Sequence, residues 1–257
     1  MKKLIQVGIL LLSLLVSCAE IPVPRIQSIE VPNQVIASTP RIKNRVLTAP
    51  AKITLEAENI GTVTGTAFPI YSKEISSKHY VVYFITAAHV VADVTPTKIE
   101  FYSIPEQNWE ISSQVTLILG EVETVFAHKT IDVALVKAKS EVFIPPIDIT
   151  LEKPKFLEEV VAVGCPFGEP LVISHGRIIR PSLYDGMWLL TAPVVPGNSG
   201  GPIISLKTGK VIGITSRVYV INTGFSSSYV GHMHEMVPTY LFYDVIVQEI
   251  DKDLSKK

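Results

Sequence analysis

Three short runs of this chain carry side chains able to act together on an electrophile. They are Thr86-Ala87-Ala88-His89-Val90, Asp132-Val133-Ala134-Leu135-Val136 and Gly197-Asn198-Ser199-Gly200-Gly201-Pro202, in that order. A serine hydroxyl is a poor nucleophile at neutral pH. It needs an adjacent imidazole to take its proton, and that imidazole needs a carboxylate to fix its tautomer. Ser199, His89 and Asp132 supply these three groups. Attack on a carbonyl also creates an oxyanion, which needs donors oriented beforehand. A glycine-rich turn lets backbone N–H groups point inward, and those of Gly197 and Ser199 are the natural pair. The chemistry within reach of this set is acyl transfer through a covalent intermediate.

Each residue also has an ordinary reading: His89 on a helix surface, Asp132 in a turn, Ser199 as a loop hydroxyl. Their joint, ordered occurrence argues against three coincidences. Asp132 opens a strongly apolar run, and a carboxylate entering a core needs a partner such as a histidine N–H. Asp93 competes for this role four residues after His89, but it reads better as turn chemistry near Val94-Thr95-Pro96. The run Gly197-Asn198-Ser199-Gly200-Gly201 also fits the G-x-S-x-G elbow of α/β hydrolases, whose order is serine, acid, histidine. That order fails, because no acid separates Ser199 from His232 and His234. Gly200-Gly201-Pro202 is also a poor helix start.

The set resembles the trypsin-like, chymotrypsin-fold serine proteases, especially the protease domains of the bacterial HtrA family. Gly65-Thr66-Ala67-Phe68, Val163-Gly164-Cys165-Pro166-Phe167-Gly168 and the strand Gly209-Lys210-Val211-Ile212-Gly213-Ile214-Thr215 resemble further segments of that branch. The resemblance implies two six-stranded antiparallel β-barrels with the site in the cleft between them. His89 and Asp132 would sit in the first barrel and Ser199 in the second, with no cofactor. It also implies that Pro193, beside Ala192 and Val194, forms the base of the S1 pocket, which without a charge favours small or apolar P1 residues. Thr215, Ser216 and Arg217 would pair with substrate backbone as an added strand. Thr215 stands where glutamyl endopeptidases carry histidine, which argues against that specificity. Asn198 replaces the acid that pairs with a freshly cleaved N-terminus in zymogens, so activation of that kind is not expected.

The elements that must position these groups read as all-β. Short apolar or alternating runs recur at 52–55, 62–68, 80–86, 99–102, 115–119, 133–136, 160–163, 172–173, 177–179, 188–191, 203–205, 211–216 and 218–221, with turn residues between them. The expected first barrel covers about 51–145 and the second about 155–238, with a linker from Pro145-Pro146 to Lys155. Apolar residues at helical spacing in 239–251 predict a closing C-terminal helix. Only residues 239–257 follow Pro238, so the PDZ module of HtrA proteins is not expected.

With 257 residues and 47% hydrophobic content the chain can bury a large core. Lys2-Lys3 and the apolar run 4–16 have the form of a secretory signal. Leu15-Val16-Ser17-Cys18 resembles the bacterial lipobox, in which the signal, residues 1–17, is removed and Cys18 becomes the lipidated N-terminus, anchored to a lipid bilayer. An ordinary signal peptide with an incidental cysteine is the alternative. Residues 18–50 carry five prolines and read as an extended tether. Cys165, the other cysteine, then has no disulfide partner and reads as a small buried turn residue. Removing the signal leaves 21 basic against 24 acidic residues, which gives no reason to expect nucleic acid as a partner.

His232 and His234, two apart on a strand, share a face, but no third ligand stands at a telling spacing. They read as pocket-wall or surface residues rather than a metal pair, one of them a weak reason to consider an acidic P1. His79 and His128 read as surface or loop residues, and His175 as part of a turn before Gly176. Two functions remain open: an envelope serine endopeptidase acting on proteins or peptides on the outer face of a membrane, or a protease-fold scaffold lipoprotein whose site is unassembled or partner-activated.

Overall fold

The computed structural model describes residues 47–256 except 48, 58–60, 93, 103–114, 184–185 and 223–226; the side chains of 57, 219–222, 227–229 and 232 also lie outside the description. The proposed lipobox, nearly all of the tether and Asp93 therefore fall outside the described residues.

The first lobe contains β1 (Ala51–Ala57), β2 (Gly61–Ser76), β3 (His79–Thr86), the one-turn helix α1 (Ala88–Val91), β4 (Thr95–Tyr102), β5 (Val115–Leu119), β6 (Glu123–Ala127) and β7 (Ala134–Ser140). The second contains β8 (Glu159–Gly164), β9 (Val172–Pro181), β10 (Trp188–Leu190), β11 (Pro202–Ser205), β12 (Val211–Asn222) and β13 (Ser227–Pro238), followed by α2 (Tyr243–Ser255). All strand pairs are antiparallel, and the second lobe closes into a six-stranded barrel in the order β10-β13-β12-β11-β8-β9. The first lobe is a seven-stranded sheet, β5-β4-β1-β2-β3-β7-β6, where six strands in a barrel were expected. Its long strand β2 pairs with β1 through residues 61–67 and with β3 through residues 68–76, so one strand serves both halves of the sheet.

Side-chain alternation explains why the central strands are apolar on both faces. Along β3, Val82 and Phe84 enter the first-lobe interior, while Val81, Tyr83 and Ile85 enter a cluster shared by both lobes. β8 repeats the pattern from the other side: Val160 and Ala162 fill the barrel, and Val161 and Val163 join the shared cluster. The two lobes are thus welded by a third core that also takes Phe242, Ile246 and Ile250 from around α2. Each such fully buried apolar side chain contributes roughly 1.5–3 kcal/mol relative to exposure.

Several local expectations change. His175 lies inside β9, opposite Val161, rather than in a turn, and β9 unites the two short runs read there. Strand β6 was not foreseen, and β13 only where His232 and His234 were read two apart on a strand, because their polar residues, among them Glu123, Thr124, His234 and Glu235, interrupt any apolar run. The terminal helix begins at Tyr243 rather than 239, after a 3-10 turn over Thr239–Leu241.

Candidate active site

Asp132 sits in the turn between β6 and β7, just before the buried Val133 and Ala134. His128 shapes that turn: its N–H donates to Val133 O (3.0 Å), and its Nδ1 accepts from the N–H groups of Thr130 (3.2 Å) and Ile131 (3.0 Å). His89 reaches Asp132 from α1, which follows β3 after Ala87. The backbone N–H of His89 donates to Asp132 Oδ1 (3.0 Å), and its ring Nδ1 lies 2.8 Å from Oδ2. The hydroxyl of Ser216 on β12 donates to the same Oδ2 at 2.6 Å. Burial pushes the Asp132 carboxyl up, but the His89 ring, the Ser216 hydroxyl and the His89 amide outweigh it and hold the group below its ordinary value. An ionised carboxylate on Nδ1 places the proton there and leaves Nε2 as the acceptor. The His89 side chain is 50% exposed, so that nitrogen belongs to a ring open to solvent.

Ser199 stands in the turn between β10 and β11, half-buried. Every carbonyl from 196 to 199 is engaged. Pro196 O accepts from Phe167 N–H (2.7 Å), Gly197 O from the Thr66 hydroxyl (2.8 Å), Asn198 O from Gly201 N–H (2.9 Å) and Ser199 O from Thr66 N–H (2.9 Å). The N–H groups of Asn198 and Gly200 are likewise taken, by Val195 O and Thr215 O. Among the described residues, those of Gly197 and Ser199 donate to no carbonyl, so both remain available to an incoming acceptor. Two glycines make this winding possible. Gly197 has φ +97°, and a Cβ there would lie 2.3 Å from Cys165 O; Gly200 has φ +83°, and a Cβ would lie 2.3 Å from the Thr86 hydroxyl.

Among the described residues no hydrogen bond joins Ser199 Oγ to His89 Nε2. An open cleft of about 520 Å³ runs beside His89 and Asp132, walled by His128, Ser216, Arg217 and Val218. Both backbone groups of Thr215 are committed to the nucleophile turn, through Gly200 N–H and Gly201 O, so the edge left facing the cleft begins at Ser216. Pro193 is exposed between the buried Ala192 and Val194. Val194 N–H lies 3.4 Å from Nε2 of the buried His234, which places that histidine beside the 192–194 segment. The side chain of His232 lies outside the described residues.

Two polar contacts escaped sequence reasoning. Ser216 was read only as substrate-pairing backbone, yet its hydroxyl holds Asp132. Thr66 was read only as part of a resemblance, yet it holds the nucleophile turn. No periodicity signals either one. Cys165 is buried as expected, and burial pushes its thiol up to about 12.

A two-lobed antiparallel β protein with a histidine held by an aspartate in one lobe and a serine in a glycine-rich turn of the other has the architecture of the trypsin-like class. Residues 65–214 match the family model of the trypsin-like peptidase domain, and the chain belongs to that family. It is 28% identical over 206 residues to a probable periplasmic serine endoprotease, DegP-like, of Pseudomonas putida, covering 71% of this chain and 38% of that relative. The chain thus spans well under half the length of that relative. Its fold is similar to that of the HtrA-type protease AlgW with tripeptide, with a TM-score of 0.60, 21% identity, and coverage of 83% of this chain and 65% of that one. It is also similar to the serine endoprotease from Yersinia pestis, with a TM-score of 0.57, 21% identity, and coverage of 86% and 68%.

Proposed function

We propose that this chain is a serine endopeptidase of the cell envelope that cleaves protein substrates through an acyl-enzyme. The observation that carries the reading is the three-donor grip on Asp132, combined with the two unspent N–H groups of Gly197 and Ser199. Ser199 Oγ attacks the scissile carbonyl while His89 Nε2 takes its proton. Asp132 remains ionised and stabilises the imidazolium, and the N–H groups of Gly197 and Ser199 receive the oxyanion. The imidazolium then protonates the leaving amine, and water completes the second half by the same route. The edge from Ser216 to Val218 offers backbone pairing to the substrate segment before the scissile bond. Ala192, Pro193 and Val194 carry no charge and favour a small or apolar P1 residue. Lipidation at Cys18 would hold the domain on the outer face of a membrane, in keeping with the periplasmic naming of its relatives.

Labelling by a fluorophosphonate probe tests the reading. The wild-type protein is expected to label, and Ser199→Ala and His89→Ala are expected not to. Absence of labelling in folded wild-type protein would instead favour a scaffold or partner-activated role. A P1-varied peptide library tests the specificity, and efficient cleavage after Arg or Lys would defeat it.

A further inference from the structure

We propose that Thr66 is a positioning residue that holds the oxyanion-hole turn in its binding-ready form and joins it to the segment carrying His89. The inference rests on the endopeptidase reading for its kinetic consequences, but the geometry stands on its own. Thr66 lies in β2 opposite Lys52 of β1, and its side chain is completely buried. Four hydrogen bonds leave this one residue. Its hydroxyl donates to Gly197 O (2.8 Å) and accepts from Cys165 N–H (2.9 Å). Its N–H donates to Ser199 O (2.9 Å), and its carbonyl accepts from the hydroxyl of Thr86 (2.8 Å), three residues before His89.

The consequence follows from peptide geometry. In a trans peptide the C=O and N–H point in opposite directions, so holding a carbonyl also orients the amide beyond it. Thr66 secures the carbonyls of Gly197 and Ser199, which flank the peptide that presents Ser199 N–H. Phe167 N–H secures the carbonyl of Pro196 and thereby orients Gly197 N–H. Without the hydroxyl, Gly197 O and the buried Cys165 N–H would both lose their partner, and the turn could satisfy Gly197 O again only by rotating its peptides. That rotation would spend or misdirect the two donors. The same residue receives Thr86, so displacement of the turn would also be felt by the base.

The test compares Thr66→Val, which keeps the branched shape and deletes the hydroxyl, with Thr66→Ser, which restores it. Thr66→Val is expected to lower kcat by about tenfold to a hundredfold with KM nearly unchanged, the size expected for misplaced catalytic groups. Affinity for a peptide boronic acid, whose adduct fills the oxyanion hole, should fall in parallel, and Thr66→Ser should recover most of both losses. The turn is read separately, by amide hydrogen exchange. Exchange at Asn198 and Gly201 should accelerate in Thr66→Val while the β8 and β12 amides keep their protection. If Thr66→Val does not fold, Thr66→Ala, with room for a water in place of the hydroxyl, is read in its place. Wild-type exchange at the turn in the hydroxyl-less variant, or a loss carried by KM alone and not rescued by serine, would overturn the proposal. An inactive wild type would defeat the endopeptidase reading, while the exchange comparison would still decide whether Thr66 holds the turn.

Discussion

Asp132 and Asp253 are both largely buried carboxylates held by side-chain donors, yet one faces a cleft and the other docks a helix. Asp132 is held by the ring and backbone of His89 and by Ser216. Asp253, in the last turn of α2, accepts from the Tyr83 hydroxyl (2.8 Å) and from Lys137 Nζ at both oxygens (2.9 and 2.8 Å). Burial pushes the Asp253 carboxyl up, but Lys137 and Tyr83 hold it below its ordinary value, as the partners of Asp132 do there. The electrostatics are alike, and the difference lies in the partner. Lys137 has one charged nitrogen, which also meets Glu123 at 3.2 Å and stays mostly covered. His89 has a second nitrogen on a half-exposed ring. A carboxylate on lysine makes a clamp, whereas one on a half-exposed histidine leaves a nitrogen able to serve as the base of the proposed mechanism. The clamp also offsets the poor placement of an acid at a helix C-terminus.

Exchanging each acid for its amide should separate these roles. Asp132→Asn keeps the shape but allows the wrong imidazole tautomer, and kcat is expected to fall by about ten-thousand-fold. Steady-state hydrolysis of a peptide substrate reads this, with the Tm as the control that should barely move. Asp253→Asn is expected to do the reverse. It leaves Lys137 covered with only the exposed Glu123 as an ionic partner, at a cost of about 3 kcal/mol in urea denaturation, with kcat within about twofold. A large kcat loss in Asp253→Asn would break the distinction.

The same pair can be separated by pH. The Asp253 carboxyl is depressed below 3.8, so its stabilisation is full above that value and is lost as pH falls through the depressed one. Burial alone would lower Lys137, but Asp253 and Glu123 raise it above 10.5, so its share is full below 10.5 and is lost as pH rises through the raised value. The stability gap between wild type and Asp253→Asn should therefore stay flat from about pH 5 to pH 10 and close on further acidification. Within the proposed catalytic network, Ser216→Ala removes one of the donors to Asp132 and should lower kcat about tenfold, the worth of one hydrogen bond to a charge. The smallest effect belongs to Cys165. With its thiol pushed up to about 12, it should resist a disulfide reagent near pH 8 until denaturant exposes it.

Much of this was legible from local pattern. The apolar runs marked most strands because buried strands between two cores must be apolar on both faces, as β3 and β8 are. The pairing of His89 with Asp132, read from their local settings, is present at 2.8 Å. Where the reading failed, the residues were polar for reasons of position. β13 buries His234 and Glu235 on opposite faces, His234 beside Val194 and Glu235 beneath Ser182 and Arg217, and β6 is a half-buried end strand. His175 was read as a turn residue because Gly176 follows it, but that glycine lies in β9, where a Cβ would sit 2.1 Å from Ala192 N.

The nucleophile turn, the acid ahead of an apolar strand and the all-β alternation follow from the order of residues alone, because each depends on neighbours a few positions away. The seven-strand count of the first lobe, the Ser216 bond to Asp132, the hold of Thr66 on Gly197 and the clamp of Tyr83 on Asp253 do not. The three bonds join groups 84, 131 and 170 residues apart. A hydroxyl has no periodicity by which to announce a partner at that distance, and its role appears only once two lobes and a helix have packed around it.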